Sequence, residues 1–165
     1  MRELTPPDSH HLNAATGWCE LGNVAEARTE LKRISAANRD HPRVLEEEWR
    51  ICAAEKHWLP ALEVARRLIE VAPDNPSGWI HQSYSLHELK RTREAFDLLL
   101  PVVEKFPGVS TIPYNLACYA CRLGDLEGAR SWLTEAVRIR GKADIKRTAL
   151  EDPDLQPMWE EIKKL

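Results

Sequence analysis

The sequence predicts an all-α fold, a solenoid of helix-turn-helix units, and three observations carry that prediction. Alanine recurs at Ala27, Ala61, Ala95 and Ala129, each 34 residues from the next. Chain-breaking residues keep the same spacing: Pro42 and Pro76 are 34 apart, as are Pro73 and Pro107, and Gly22 and Gly124 lie 102 apart, three periods. Four residues after each alanine come Leu31, Ala65, Leu99 and Leu133, and three further on come Ile34, Leu68, Val102 and Ala136. That is the i, i+4, i+7 stripe of an amphipathic helix. A fixed period of this length marks units that bury their apolar faces against their neighbours.

The elements follow in order. After a lead-in at 1–7, four windows are set by the period at 8–41, 42–75, 76–109 and 110–143. First helices are predicted near 9–21, 43–55, 77–89 and 111–123, and second helices near 24–37, 59–72, 92–105 and 126–139. Pro101 falls inside the second helix of the third window, removes a backbone donor and predicts a kink near Asp97. The tail, 144–165, reads as capping helices. One runs to about Glu151, a break follows at Asp152-Pro153-Asp154, and a short last helix runs through Trp159, Ile162 and Leu165. Such a cap seals the apolar face that the last unit of a stack leaves uncovered. Glu160 and Glu161 early and Lys163 and Lys164 late complement the final helix dipole.

The pattern resembles the tetratricopeptide-repeat family, which has two antiparallel helices per 34 residues, small residues at close helix crossings and a closing proline. The third window carries the family's early tryptophan as Trp79. The fourth carries Asn115-Leu116-Ala117 and Leu123-Gly124-Asp125 where the family has similar residues. The resemblance implies a right-handed solenoid of about four repeats with a C-terminal capping helix. It departs at the small residue of the first helix, which is Ala15, Ser83 and Ala117 in three windows but Trp49 in the second, where the helices must spread or rearrange. Arg39 and Gly141 stand where the first and fourth windows would carry the closing proline.

Composition bounds the function. A chain of 165 residues with 43% hydrophobic content is about one domain and needs neither disulfide nor metal to build a core. Its net charge of −3 supplies no field for nucleic acid or an acidic membrane. The N-terminal stretch has no apolar run of the kind a signal or membrane span requires, so a cytoplasmic location is expected. Cys19, Cys52, Cys118 and Cys121 read as reduced thiols. Phosphate loops, a nucleophile elbow, zinc-protease spacing and a dinucleotide fingerprint are missing, so the reading is non-catalytic, with no cofactor. Cys118 and Cys121 sit i, i+3 on one helix with His87 one repeat earlier, but Cys19 is about three repeats away and cannot close a fourth zinc position. No metal site is expected. The pair lies mid-helix, away from a helix N-terminus that would lower a thiol pKa.

What remains is binding. The concave face of such a solenoid, lined by first helices, is the family's expected site for a partner protein or peptide segment. The residues placed there are Arg43, Arg50, His81, Tyr84, Tyr114, Asn115, Cys118 and Arg122. Tyr84 and Cys118 are equivalent in adjacent repeats, and Tyr84, Tyr114, Asn115 and Arg122 are the group expected to hold most of the affinity. The competing reading packs the tyrosines between helices, leaves Arg122 solvated and pairs Arg43 and Arg50 with Glu46 and Glu47. Some family members grip a chaperone's C-terminal carboxylate with lysines, asparagines and an arginine. The equivalent places hold Leu12, Thr16, Glu47, Ser77 and His81, which disfavours that role. Two alternatives stay open: a homodimer through Trp58 and Trp132, and a client-specific adaptor of the secretion-chaperone type.

Overall fold

Four copies of one hydrogen-bonded turn organise the helices. In the computed structural model, which describes residues 3–164, the backbone N–H groups of Gly22, Lys56, Lys90 and Gly124 donate to the carbonyls of Cys19, Ala53, His87 and Cys121 at 2.9–3.0 Å. Those of Asn23, His57, Arg91 and Asp125 reach further back, to Trp18, Cys52, Leu86 and Ala120, at 2.8–2.9 Å. This paired bonding closes a helix C-terminus through one left-handed residue. That residue is the same position in each window, with φ of 75°, 57°, 66° and 85°. Glycine adopts it freely at Gly22 and Gly124, whereas Lys56 and Lys90 adopt it against their Cβ. Lys56→Gly is therefore expected to raise stability by about 0.5–1 kcal/mol, read as a higher urea midpoint at unchanged slope.

The helices bounded by these turns are α1 (Asp8–Glu20), α2 (Val24–Arg33), α3 (Pro42–Ala54), α4 (Trp58–Val71), α5 (Pro76–Glu88), α6 (Thr92–Leu99), α7 (Val102–Lys105), α8 (Thr111–Arg122), α9 (Leu126–Arg140), α10 (Lys142–Glu151) and α11 (Trp159–Ile162). Short 3-10 segments occupy Ala36–Asn38 and Pro153–Met158, and no strand occurs among the described residues. Asn23 and Asp125 start α2 and α9 by accepting the backbone N–H of Glu26 and Gly128. Met1 and Arg2 of the expected lead-in, and Leu165 of the expected last helix, lie outside the described residues.

Pro101 acts more strongly than a kink. The second helix expected over 92–105 is two helices, α6 ending at Leu99 and α7 starting at Val102, so the break sits at Leu100–Pro101 rather than near Asp97. A proline has no N–H to continue the ladder, and Val103 closes a tighter turn onto the Leu100 carbonyl at 3.3 Å.

The chain divides into two compact units, Met1–Ser85 and Leu86–Leu165. In the first, α1 packs on α2 and α3, and α3 packs on α4. Leu4, from the lead-in, is buried with Leu12, Ile34 and Val44. Asp8 pins the start of α1 to the segment after α2 by accepting hydrogen bonds from the Ser35 backbone and hydroxyl and from Asn38. Those bonds, the Ser35 hydroxyl first, hold its carboxyl down to about 2. Gly78 permits close packing of α5 on α4, because a Cβ there would sit 2.8 Å from Ile69 Cγ1. In the second unit α8 packs on α9, on α6 and on the 3-10 segment Pro153–Met158. The periodic alanines Ala27, Ala61, Ala95 and Ala129 are all 0% exposed, as close helix crossing demands.

Candidate functional site

In the first unit the site is built on consecutive first helices. Thr16 of α1 donates to Glu47 Oε2 of α3 at 2.9 Å, and Arg50 Nη1 lies 3.5 Å from the same oxygen. Glu47 is buried while Arg50 is exposed. The nearby Cys19 thiol is pushed up to about 12 by burial, then by the Glu47 carboxylate. Arg43, exposed at the start of α3, joins Leu12, Thr16, Glu46, Glu47 and Arg50 around a depression of about 160 Å³. Glu46 is held from the side by Asn75 Nδ2 at 2.9 Å.

Next to this polar patch stands an aromatic wall. Trp49 stacks on His81 with ring centroids 3.8 Å apart and planes within 4°, and meets Tyr84 edge-on at 6.1 Å. Tyr84 in turn meets Trp58 edge-on at 5.7 Å. Trp49 Nε1 donates to Ser85 Oγ at 3.0 Å, and that hydroxyl donates to the His81 carbonyl at 2.8 Å, which fixes the indole plane. Behind the wall lie Leu45, Val64, Leu68 and Ala72. The bulky residue at the family's small position is thus accommodated by turning onto α5. Burial, reinforced by the nearby Arg50, pushes His81 down to about 4, so it presents a neutral ring at pH 7. Tyr84 is 37% exposed.

The second unit presents a different state. The Tyr114 hydroxyl donates to Asp152 Oδ2 at 2.9 Å, and the Cys118 thiol donates to the same oxygen at 3.5 Å. His87 donates from Nε2 to Asp154 Oδ2 at 2.8 Å, and its Nδ1 lies 3.0 Å from the Thr92 hydroxyl. Arg122 Nε lies 3.5 Å from Asp154 Oδ1. Asn115 is half-buried on the same helix. Burial, then the thiol and Asp152 carboxylate beside it, push the Tyr114 hydroxyl well up. Burial and Asp152 do the same to Cys118, and burial raises Cys121. These thiols are protonated at neutral pH and poor nucleophiles. Asp154 is held below the usual carboxylate range, first by the His87 hydrogen bond.

Of the residues singled out from sequence, Arg43, Arg50, His81 and Tyr84 fall in the first unit and Tyr114, Asn115, Cys118 and Arg122 in the second. Trp49 and Trp58, which complete the aromatic wall, and Asp152 and Asp154, which engage α8, were not among them. Trp49 did carry a signal, as the one large residue at a position occupied elsewhere by alanine or serine. Among the described residues no group of three or more histidines, cysteines or carboxylates is placed to hold a metal, and no helix is long and apolar enough to cross a membrane.

Comparison with known proteins identifies the architecture. No family profile matches the chain. A curated relative, the inactive TPR repeat-containing thioredoxin TTL3 of Arabidopsis thaliana, is 26% identical over 168 residues. The match covers 99% of this chain but 24% of the relative, so the chain spans about a quarter of that protein's length. Among solved structures, TTC0263, a thermophilic TPR protein of Thermus thermophilus, superposes with a TM-score of 0.75 at 18% identity, covering 96% of this chain and 100% of that one. MamA from Desulfovibrio magneticus RS-1 superposes with a TM-score of 0.72 at 17% identity, covering 98% and 94%. Likeness at this identity is likeness of fold.

Proposed function

Because the chain has the tetratricopeptide-repeat fold, we propose that it is a non-catalytic protein-interaction module that takes a segment of a partner protein on the face formed by α1, α3 and α5. The observation that supports this most is the half-buried wall of Trp49 and His81 flanked by the exposed Tyr84 and Arg50. Aromatic rings and arginine side chains dominate the energetics of protein interfaces. Here the rings are already locked by stacking and by the Trp49–Ser85–His81 hydrogen bonds, so little side-chain freedom is lost on binding. His81 contributes a flat, uncharged platform, while Arg43 and Arg50 supply donors at the rim. A partner segment with an apolar or aromatic anchor followed by an acceptor fits that order. Tyr114, Asn115, Cys118 and Arg122 belong to the same functional reading as the corresponding face of the second unit.

The test is affinity capture from native cell extract, comparing the unaltered chain with a Tyr84→Ala/Arg50→Ala variant after circular dichroism shows both equally helical. Both side chains are exposed enough that the fold should survive their truncation. A protein retained by the native chain and depleted at least tenfold on the variant is the expected result. Identical or empty capture lists would contradict the reading.

A further inference from the structure

A second concavity of the first unit shares α3 with the depression at Arg43 and Arg50 but none of its side chains. Helical spacing builds its sides. Arg28, Leu31 and Lys32 share one stripe of α2, and Val44, Glu48 and Ile51, at i, i+4 and i+7, share one stripe of α3. Arg39, between those helices, and Arg67 of α4 complete a groove of about 410 Å³, the size of a binding pocket rather than of a packing void. Its floor is apolar: half-buried Leu31 packs on the cluster that holds Val44, and Ile51 is buried further along α3. Around that floor four cations face one lining carboxylate, Glu48. Two of the cations are engaged. Arg28 is held by Glu55, and Arg67 by Asp40 and, at 3.6 Å, by Glu48. Those pairs orient the two guanidiniums, and each has five N–H donors, more than its pairs use. Lys32 and Arg39 are exposed, and among the described residues neither side chain has an ion-pair or hydrogen-bond partner.

We propose that this groove is a second docking site, occupied by an acidic segment of a partner protein that seats one apolar side chain against Leu31, between carboxylates that meet Lys32 and Arg39. Charge complementarity carries the assignment: the groove has more cations than it can pair for itself, and the two unpaired ones stand in solvent, where a ligand reaches them without displacing any part of the chain. The chain's net charge of −3 does not oppose this, because at about 0.1 M salt exposed charges beyond about 10 Å are screened and the local set decides. Peptide is favoured over nucleic acid, which shares the negative charge. No aromatic ring lines the groove, so bases have nothing to stack on, whereas the apolar floor suits an aliphatic side chain.

The probe is a fluorescein-labelled peptide, Asp-Glu-Asp-Leu-Glu-Asp-Glu, titrated with the full chain and followed by anisotropy. Lys32→Glu/Arg39→Glu reverses the two unpaired charges and leaves the Arg28 and Arg67 pairs intact, and circular dichroism checks helicity. The peptide is expected to bind the native chain and to lose about tenfold or more on this variant. The charge-matched control Arg140→Glu/Lys142→Glu, at two exposed positions of the second unit, should bind as the native chain does. Replacing the peptide's leucine by serine should weaken binding about threefold, for loss of a partly buried apolar side chain. If the reversed variant loses helicity, Lys32→Gln/Arg39→Gln gives the same comparison with an expected loss of about threefold. No binding to the native chain, an equal loss on the control, a serine peptide that binds as well, or a thymidine oligonucleotide of matching charge that binds more tightly would each overturn the proposal. The Tyr84→Ala/Arg50→Ala variant should hold the peptide unchanged, so this site and the one beside the Trp49 wall can fail separately.

Discussion

Replacing Ala61 by leucine is expected to lower the unfolding free energy by about 3 kcal/mol, at the upper end of what overpacking costs. Ala61 is 0% exposed and lies in α4, which packs on α3. Three carbons added at a fully buried helix crossing force the two helices to separate or take strained rotamers. The control is two residues away. Leu59→Ala, at a position 64% exposed, should change stability by no more than about 0.5 kcal/mol. Urea denaturation followed by circular dichroism reads both. The same contrast is expected at Ala129 in α9, where the crossing is with α8.

Acidification is expected to have a comparable effect through His81. Its folded pKa is pushed from 6.5 down to about 4, chiefly by burial against Trp49 and secondarily by Arg50. Between those values the unfolded chain binds a proton that the folded chain refuses, so stability rises with pH across this window. The contribution is fully present above pH 6.5 and is lost as pH falls toward 4. It amounts to about 2–3 kcal/mol at about 1.4 kcal/mol per unit, reduced for the ring's partial exposure. Carboxylates held low by partners, such as Asp8 near 2 and Asp154 below its usual range, act with the same sign at lower pH: their stabilisation persists through this window and is lost only in stronger acid. His81→Phe keeps a ring on Trp49 and removes the titration. Its urea midpoint should lose most of the decline that the native chain shows between pH 6.5 and 4.5.

The helices were legible because the period records a packing constraint. Where two helices cross closely only a small side chain fits, so Ala27, Ala61, Ala95 and Ala129 mark equivalent crossings whatever the surrounding residues. Boundaries followed from the turns, and the expected 111–123 is α8 at Thr111–Arg122. Two turns were invisible as such because Lys56 and Lys90 carry no composition signal for a left-handed residue, although they keep the spacing of Gly22 and Gly124. Pro101 was correctly read as a disruption but misjudged in degree, since helix geometry after a proline depends on whether neighbouring groups re-form the ladder. Arg43, Arg50, His81 and Tyr84 could be placed on one face from helix periodicity alone. The stacking of Trp49 on His81 could not, because it depends on a side-chain direction across two helices. The Asp152-Pro153-Asp154 corner lies beyond the last period, and a break read from its composition says nothing about which side chains its carboxylates reach.

The most direct test of partner recognition at the first unit is site-specific photo-crosslinking in cells, with a benzophenone amino acid placed at Tyr84 or, as control, at Glu63 on the exposed side of α4, where the side chain is 65% exposed. A discrete crosslinked protein is expected from the Tyr84 position, absent from Glu63 and lost when Arg50→Ala is added. Crosslinks of equal yield from both positions, or from Glu63 alone, would place the contact away from the Trp49–His81–Tyr84 wall and contradict the proposed site.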